Sequence, residues 1–186
     1  MDPLTIVLIA IGLAMDAFAV SICKGLAMKA PSLKATLVVG LWFGVFQGLM
    51  PLLGYYLGSA FYQYVSSIGY WIAFALLVII GLNMIREALS GDEGDVDDSI
   101  DVKTMLVLAV ATSIDAFAVG VSFSMEGMDI AVPVLVIALI TMMISMAGVK
   151  IGSIIGDILN RKAEILGGVI LILIGVKIIL ENSGVL

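Results

Sequence analysis

Six stretches of this chain are long and apolar enough to cross a lipid bilayer, and nothing else in the sequence restricts the fold as strongly. A crossing helix takes about 20 mostly apolar residues, and the candidate spans cover 5–24, 35–59, 70–89, 104–125, 130–156 and 164–182. Inside hydrocarbon each backbone N–H and C=O must find its partner within the protein, which leaves helices as the solution for isolated spans of this length. The chain is 62% hydrophobic and 13% charged, too apolar for an ordinary soluble domain. The expected class is an all-α integral membrane protein of six transmembrane helices. The first run lacks a basic start, so it reads as a retained helix and not as a signal peptide.

One connection stands apart from the others. Between Asp92 and Asp101 lie six of the fifteen acidic residues, in the stretch GDEGDVDDSID. It divides the chain into a first three-helix repeat (1–89), an acidic linker (90–103) and a second three-helix repeat (104–186). The phrase Asp-Ala-Phe-Ala-Val occurs at Asp16 and again at Asp115, 99 positions later. Gly54 and Gly58 recur as Gly152 and Gly156 at an offset of 98, and Ile80-Gly81 and Glu87 recur as Ile174-Gly175 and Glu181 at an offset of 94. Similar offsets in the same order are the mark of internal duplication. An odd number of spans per repeat makes the second half enter from the opposite side, so the expected architecture is a pair of inverted repeats, as in many secondary transporters.

Basic residues orient the chain. Lys24, Lys29 and Lys34 surround the first connection, Arg86 and Lys103 flank the third, and Arg161 and Lys162 lie in the fifth. The positive-inside bias then puts these connections in the cytoplasm and both termini outside. Each motif aspartate falls near the middle of a span, where an ionisable group marks a functional site by default. Two such groups in matching positions suggest one site made from two halves. Small residues surround them: Gly12, Ala19 and Val20 near Asp16, and Ala111, Thr112, Ala118 and Ser122 near Asp115. Glycines at spacings of four, 40, 44 and 48 in one span and 148, 152 and 156 in another, are expected to pack helices closely.

Burial disfavours the charged form of a carboxylate, and a divalent cation between two of them reverses that preference. Metal binding should expel protons and proton binding should expel metal, the basis of a proton-coupled metal carrier. The chain has no histidine and one cysteine, Cys23, so zinc, copper and haem sites lose their usual ligands. Oxygen donors favour Mn²⁺, Mg²⁺ or Ca²⁺. Two aspartates do not fill a six-coordinate shell. Asn83, Gln47, Thr112 and Ser113, with backbone carbonyls and water, are the candidates to complete it.

The phrase from Met15 to Ser21 (MDAFAVS), that from Ser113 to Gly120 (SIDAFAVG) and the run from Lys162 to Gly168 (KAEILGG) resemble the MntP family of manganese efflux proteins over essentially the whole chain. The resemblance implies a multi-pass protein of the bacterial inner membrane that exports Mn²⁺ as its substrate, needs no resident cofactor and uses Asp16 and Asp115 as ion-handling groups. Some members carry glutamate where this chain has the neutral Gln47. The expected partners are Mn²⁺, H⁺ and the bilayer, with a homo-oligomer left open. A carrier for Cd²⁺, Fe²⁺ or Mg²⁺, and a metal sensor or scaffold without transport, are the alternatives.

Other residues carry weaker signals. Asn83 and Lys177 occupy equivalent repeat positions; Lys177 either pairs with an aspartate in the metal-free state or snorkels to the interface. Lys150 reads as a residue reaching a nearby carbonyl or carboxylate. Cys23 and the methionines, Met15 included, read chiefly as packing. Asp157, Glu126 and Asp129 at helix ends are vestibule candidates. The acidic linker lacks EF-hand spacing and reads as solvated. No basic stripe suggests nucleic acid, no P-loop suggests ATP-driven pumping, and the Gly-x-Gly-Asp pattern of an intramembrane protease is absent, so no enzyme activity is expected.

Overall fold

The computed structural model describes residues 2–28, 30–90, 101–125, 127–159 and 161–182. For 58–70, 156–159, 161–164 and scattered positions of the later second helix and the last helix, it describes the backbone alone. The described residues form helices α1 (Pro3–Ala27), α2 (Leu33–Ser90), α3 (Val102–Ala111), α4 (Ile114–Met125), α5 (Ala131–Leu159) and α6 (Arg161–Asn182), with no strand among them.

Among the described residues, three segments are long and apolar enough to cross a membrane: Pro3–Ala27, Leu33–Leu57 and Ala131–Ile155. The bent pair α3 and α4 makes a fourth if it counts as one span. Two expectations are corrected here. The expected connection between the second and third spans is itself helical, so that α2 runs unbroken through 60–69. That stretch has no proline, hence no missing donor to stop the backbone ladder. The fourth span is not one rod: it breaks at Thr112 and Ser113 with a bend of 48°.

The helix starts are chemically alike. Asp2 caps α1, its carboxylate accepting from the Thr5 amide at 2.8 Å and from the Thr5 hydroxyl at 3.1 Å. Asp101 caps α3 and accepts from the Thr104 amide at 3.4 Å. Both pairs are an aspartate with a threonine three residues on, which satisfies an orphan donor of the first turn. The two caps lie 99 positions apart, the offset of the repeated phrase. Thr5's two bonds hold the Asp2 carboxyl below its usual range.

Close crossings between the two sequence halves hold the bundle together. A methyl on Gly25 would overlap the Val149 carbonyl, and one on Gly152 the Ile22 carbonyl, so α1 and α5 touch backbone to backbone. Gly54 sits in the same way on the Phe117 carbonyl, and Gly120 on that of Pro51, joining α2 to α4. Gly40, Gly44 and Gly48 lie against Met146, Met142 and Ala138 of α5, which is the packing role expected of them. Further along α2, Gly81 meets Gly168 of α6, and Gly175 of α6 meets Phe74. Positions 81 and 175, like 74 and 168, are 94 apart. α1 packs chiefly on α5 and barely on α2, so the halves interlace and do not form two separate three-helix units.

The core follows from that interlacing. Ala17, Val20 and Cys23 of α1 join Val39, Phe43 and Leu77 of α2, Met105 and Leu108 of α3, Val149 of α5 and Leu171 of α6 in one buried cluster. Cys23, 1% exposed, is a packing residue here. Leu8, Leu41, Leu135, Leu139 and Leu173 point outward, as lipid-facing positions do.

Candidate metal-handling site

The break between α3 and α4 is made by two small hydroxyls. Thr112 Oγ1 lies 3.0 Å from the Leu108 carbonyl and 3.3 Å from that of Ala109, and Ser113 Oγ lies 2.7 Å from the Ala109 carbonyl. Serine and threonine that bond back to the preceding turn bend helices. The Ser113 amide tightens to a three-residue bond with the Val110 carbonyl at 3.2 Å. A continuous helix would send the Asp115 and Ala116 amides to the carbonyls of Ala111 and Thr112. Among the described residues neither bond is formed; the Ala116 amide instead donates to Asp115 Oδ1 at 2.8 Å. The bend places the Ala111 and Thr112 carbonyls at the break, a few residues before the Asp115 carboxylate. The negative end of α3 faces this gap, which favours a cation there.

Gln47 ties the break to α1. Its side chain, fully buried, donates from Nε2 to the Leu13 carbonyl at 3.1 Å, and its Oε1 lies 2.8 Å from Ser113 Oγ. The Leu13 carbonyl fixes which end of the amide is nitrogen. Ser113 has one proton for two acceptors, Gln47 Oε1 and the Ala109 carbonyl, and shares it between them. Leu13 is three residues before Asp16 and Ser113 two before Asp115. Gln47 thus bridges the two turns that carry Asp16 and Asp115.

Neither carboxylate is sealed in the core. The Asp16 side chain is 27% exposed and Asp115 is exposed, while Ala17 and Ala116, the next residues, are fully buried. Gly12, one turn before Asp16, faces open space. The ammonium of Lys177 on α6 lies 3.9 Å from Asp16 Oδ1, the pairing that the sequence left beside snorkelling. Thr112 is buried at the break, where its hydroxyl is engaged with carbonyls of α3. Asn83 falls on α2, with its side chain outside the described residues. Among the described residues no three His, Cys, Asp or Glu side chains gather. A divalent ion here would rely on two carboxylates and neutral oxygens.

Several candidates lie away from this centre. Lys150 is exposed on α5 and Met15 is 44% exposed. Asp129 accepts from the Ala131 amide at 3.0 Å, at the start of α5. Glu126 and the Asp157 side chain lie outside the described residues, as does the linker from 91 to 100. The sequence reading did not find the break at Thr112 and Ser113, whose sequence signal is the adjacent Thr-Ser pair. Nor did it find Ser21, Thr141 and Ser145, buried hydroxyls with no hydrogen-bond partner among the described residues. Thr141 and Ser145 are one turn apart on α5, in register with Gly148, which itself packs against Ser21.

Fold and local geometry together define a helical membrane protein in which one bent helix pair breaks just before an aspartate. The family described as "Putative manganese efflux pump" matches residues 30–179, and the chain belongs to that family. A protein of Desulfitobacterium hafniense (strain Y51), called "Putative manganese efflux pump MntP", is 50% identical over 186 residues, covering 100% of this chain and 98% of the relative. Proteins of the same description from Acetivibrio thermocellus and Methanothermobacter thermautotrophicus are 49% and 50% identical, over 100% and 98% of this chain and 94% and 98% of their own length. No solved structure matches the chain.

Proposed function

We propose that this protein exports Mn²⁺ from the cytoplasm through a mid-span site containing Asp16 and Asp115, by alternating access coupled to proton antiport. The observation that carries the reading is the Gln47 bridge, which joins the turn before Asp16 to the break before Asp115. Asp16 and Asp115 supply the charge that neutralises the ion. The Ala111 and Thr112 carbonyls at the break, with water, supply neutral oxygens of the kind a hard divalent ion prefers. Gln47 acts first as the clamp between the two halves of the site, with one lone pair of Oε1 left for the ion. Asn83 remains a candidate ligand from α2. Manganese as the ion, and export as its direction, follow from the names of the relatives.

Protons enter because metal and hydrogen ions compete for the same carboxylates. A membrane potential that is negative inside opposes the exit of a divalent cation, and proton entry in exchange offsets that opposition. Two inverted halves, with both termini outside the inner membrane, fit this scheme. The reciprocal contacts Gly81 with Gly168 and Gly175 with Phe74 support a two-fold relation between the halves. The moving bodies are then sets such as α1 with α5 and α2 with α4, because the tightest crossings run between the sequence halves.

Metal flux in proteoliposomes with a trapped pH dye tests this directly. Mn²⁺ movement should be matched by opposite proton movement, and Asp16→Asn and Asp115→Asn should each reduce it by about 100-fold or more while the protein still inserts. Wild-type flux in either mutant would sink the paired site. Mn²⁺ flux without a pH change would remove the antiport.

A further inference from the structure

The two motif aspartates are not equivalent in charge, and the difference lies on α6. Lys177 interrupts an otherwise apolar run, and its ammonium is 3.9 Å from Asp16 Oδ1. The position equivalent to Lys177 at the offset of 94 is Asn83, a neutral residue, so the repeat offers Asp115 no lysine from the corresponding place. Asp115 turns instead to the Ala116 amide.

We infer that Lys177 is a tethered cation that occupies Asp16 while the site holds no metal and withdraws when the divalent ion arrives, so that it sets the protein's metal affinity. This rests on the manganese reading above. A bare carboxylate inside a span is strongly disfavoured, and a neighbouring ammonium removes much of that penalty. A divalent ion and an ammonium on the same carboxylate would repel each other within a few ångströms, so the two occupants alternate. The lysine is built for withdrawal. Its side chain is 56% exposed against 27% for Asp16, and a flexible four-carbon stem lets the charge swing aside without moving α6. A guanidinium would hold the carboxylate through two parallel bonds and release it less readily. Lys177 thus acts on the ion through Asp16, as a positioning residue. In the return step it lets the empty carrier cross without exposing an uncompensated charge at that position.

The test is Mn²⁺ binding to the full-length protein in lipid nanodiscs, read as loss of the paramagnetic resonance signal of aqueous Mn²⁺, with flux measured in parallel. Lys177→Gln should bind Mn²⁺ about three- to ten-fold more tightly, with a lower half-saturation concentration and a slower maximal rate. Lys177→Arg should bind about two- to five-fold more weakly. Lys150→Gln removes the same charge from an exposed position on α5 and should leave the affinity unchanged. Equal affinity in Lys177→Gln and wild type overturns the inference, as does equal tightening in Lys150→Gln. If the glutamine variant does not fold, the arginine variant decides: weaker binding supports the tethered cation and unchanged binding refutes it. Wild-type protein that fails to bind Mn²⁺ would remove the manganese reading and this inference together, whereas binding without a lysine effect removes the inference alone.

Discussion

α1 and the α3–α4 pair start from the same kind of cap, carry the same five-residue phrase at the same distance from it, and still have different shapes. α1 is a single helix of 25 residues. Its counterpart stops at Ala111 and restarts at Ile114. Between cap and phrase the decisive difference is two residues: Leu13-Ala14 in α1 stand where Thr112-Ser113 stand in the other copy. Leucine and alanine are good helix formers, whereas the two hydroxyls compete for backbone carbonyls. The difference teaches that a duplicated element can keep its charge and lose its symmetry through two small substitutions. One copy then holds its aspartate on a single helix beside a lysine, and the other just after a bend.

The strongest way to break this comparison is to attack the crossings that hold both copies in place. Gly152→Leu and Gly120→Leu should each abolish recovery of folded protein from membranes, because their side chains would enter the Ile22 and Pro51 carbonyls. Gly12→Ala, in open space on the same helix as Asp16, should be tolerated and raise stability by about 0.5–1 kcal/mol through helix propensity. Size-exclusion profiles after detergent extraction, with thermal unfolding, separate these outcomes. A normal profile for both leucine variants would show that the helices are not in backbone contact.

A sharper intervention converts one copy into the other. The double substitution Thr112→Leu, Ser113→Ala gives the second copy the residues of the first and should straighten the span. Mn²⁺ flux should fall about ten-fold or more as the span straightens, and thermal stability should fall as well, because Ser113→Ala removes the buried hydrogen bond to Gln47 Oε1. Gln47→Leu should lower stability by about 1–3 kcal/mol through the loss of its two buried hydrogen bonds, to the Leu13 carbonyl and from Ser113, while Ser113 keeps its bond to the Ala109 carbonyl. Flux unaffected by the double substitution would mean that the bend is not part of the ion's path.

Smaller effects are expected at the hydroxyls of α5 and at the caps. Thr141→Val and Ser145→Ala lose no hydrogen bond and should leave thermal stability unchanged or raise it by up to about 1 kcal/mol. A clear loss would show that these hydroxyls have partners. At the start of α1, the Asp2 carboxyl is held below its usual range by Thr5, so the cap's contribution is complete above the ordinary aspartate range and is lost as pH falls through the lowered value. Amide exchange at Thr5, measured relative to that at Ile6, should rise at acid pH and in Asp2→Ala, with little change in Asp2→Asn.

Much of this arrangement was legible in the residues. Apolar run lengths gave a helical membrane protein, the repeated phrase singled out Asp16 and Asp115, and the glycines at spacings of four forecast close packing. The caps Asp2 and Asp101 share the same offset but belong to no apolar pattern, which is why they passed unnoticed. The break at Thr112-Ser113 was hidden for a physical reason: either hydroxyl alone is accommodated in a continuous helix, and Gln47, which engages Ser113, is 66 residues away in sequence. The pairing of α1 with α5 was equally invisible, because a glycine records that something comes close and not what it is. Lys177 was read as either pairing with an aspartate or snorkelling to the interface, and only the placement of α6 against α1 decides it.

The Gly25–Gly152 crossing also dictates an order of events during synthesis. α1 is made first, yet the surface shaped to receive its backbone is on α5, 127 residues later in the chain. At about 5–20 residues per second, α1 waits in the bilayer on the order of 6 to 25 s with its glycine face turned toward lipid or a chaperone. Birth of this protein is therefore a matter of storage as well as insertion, and the first helix to enter is among the last to find its place.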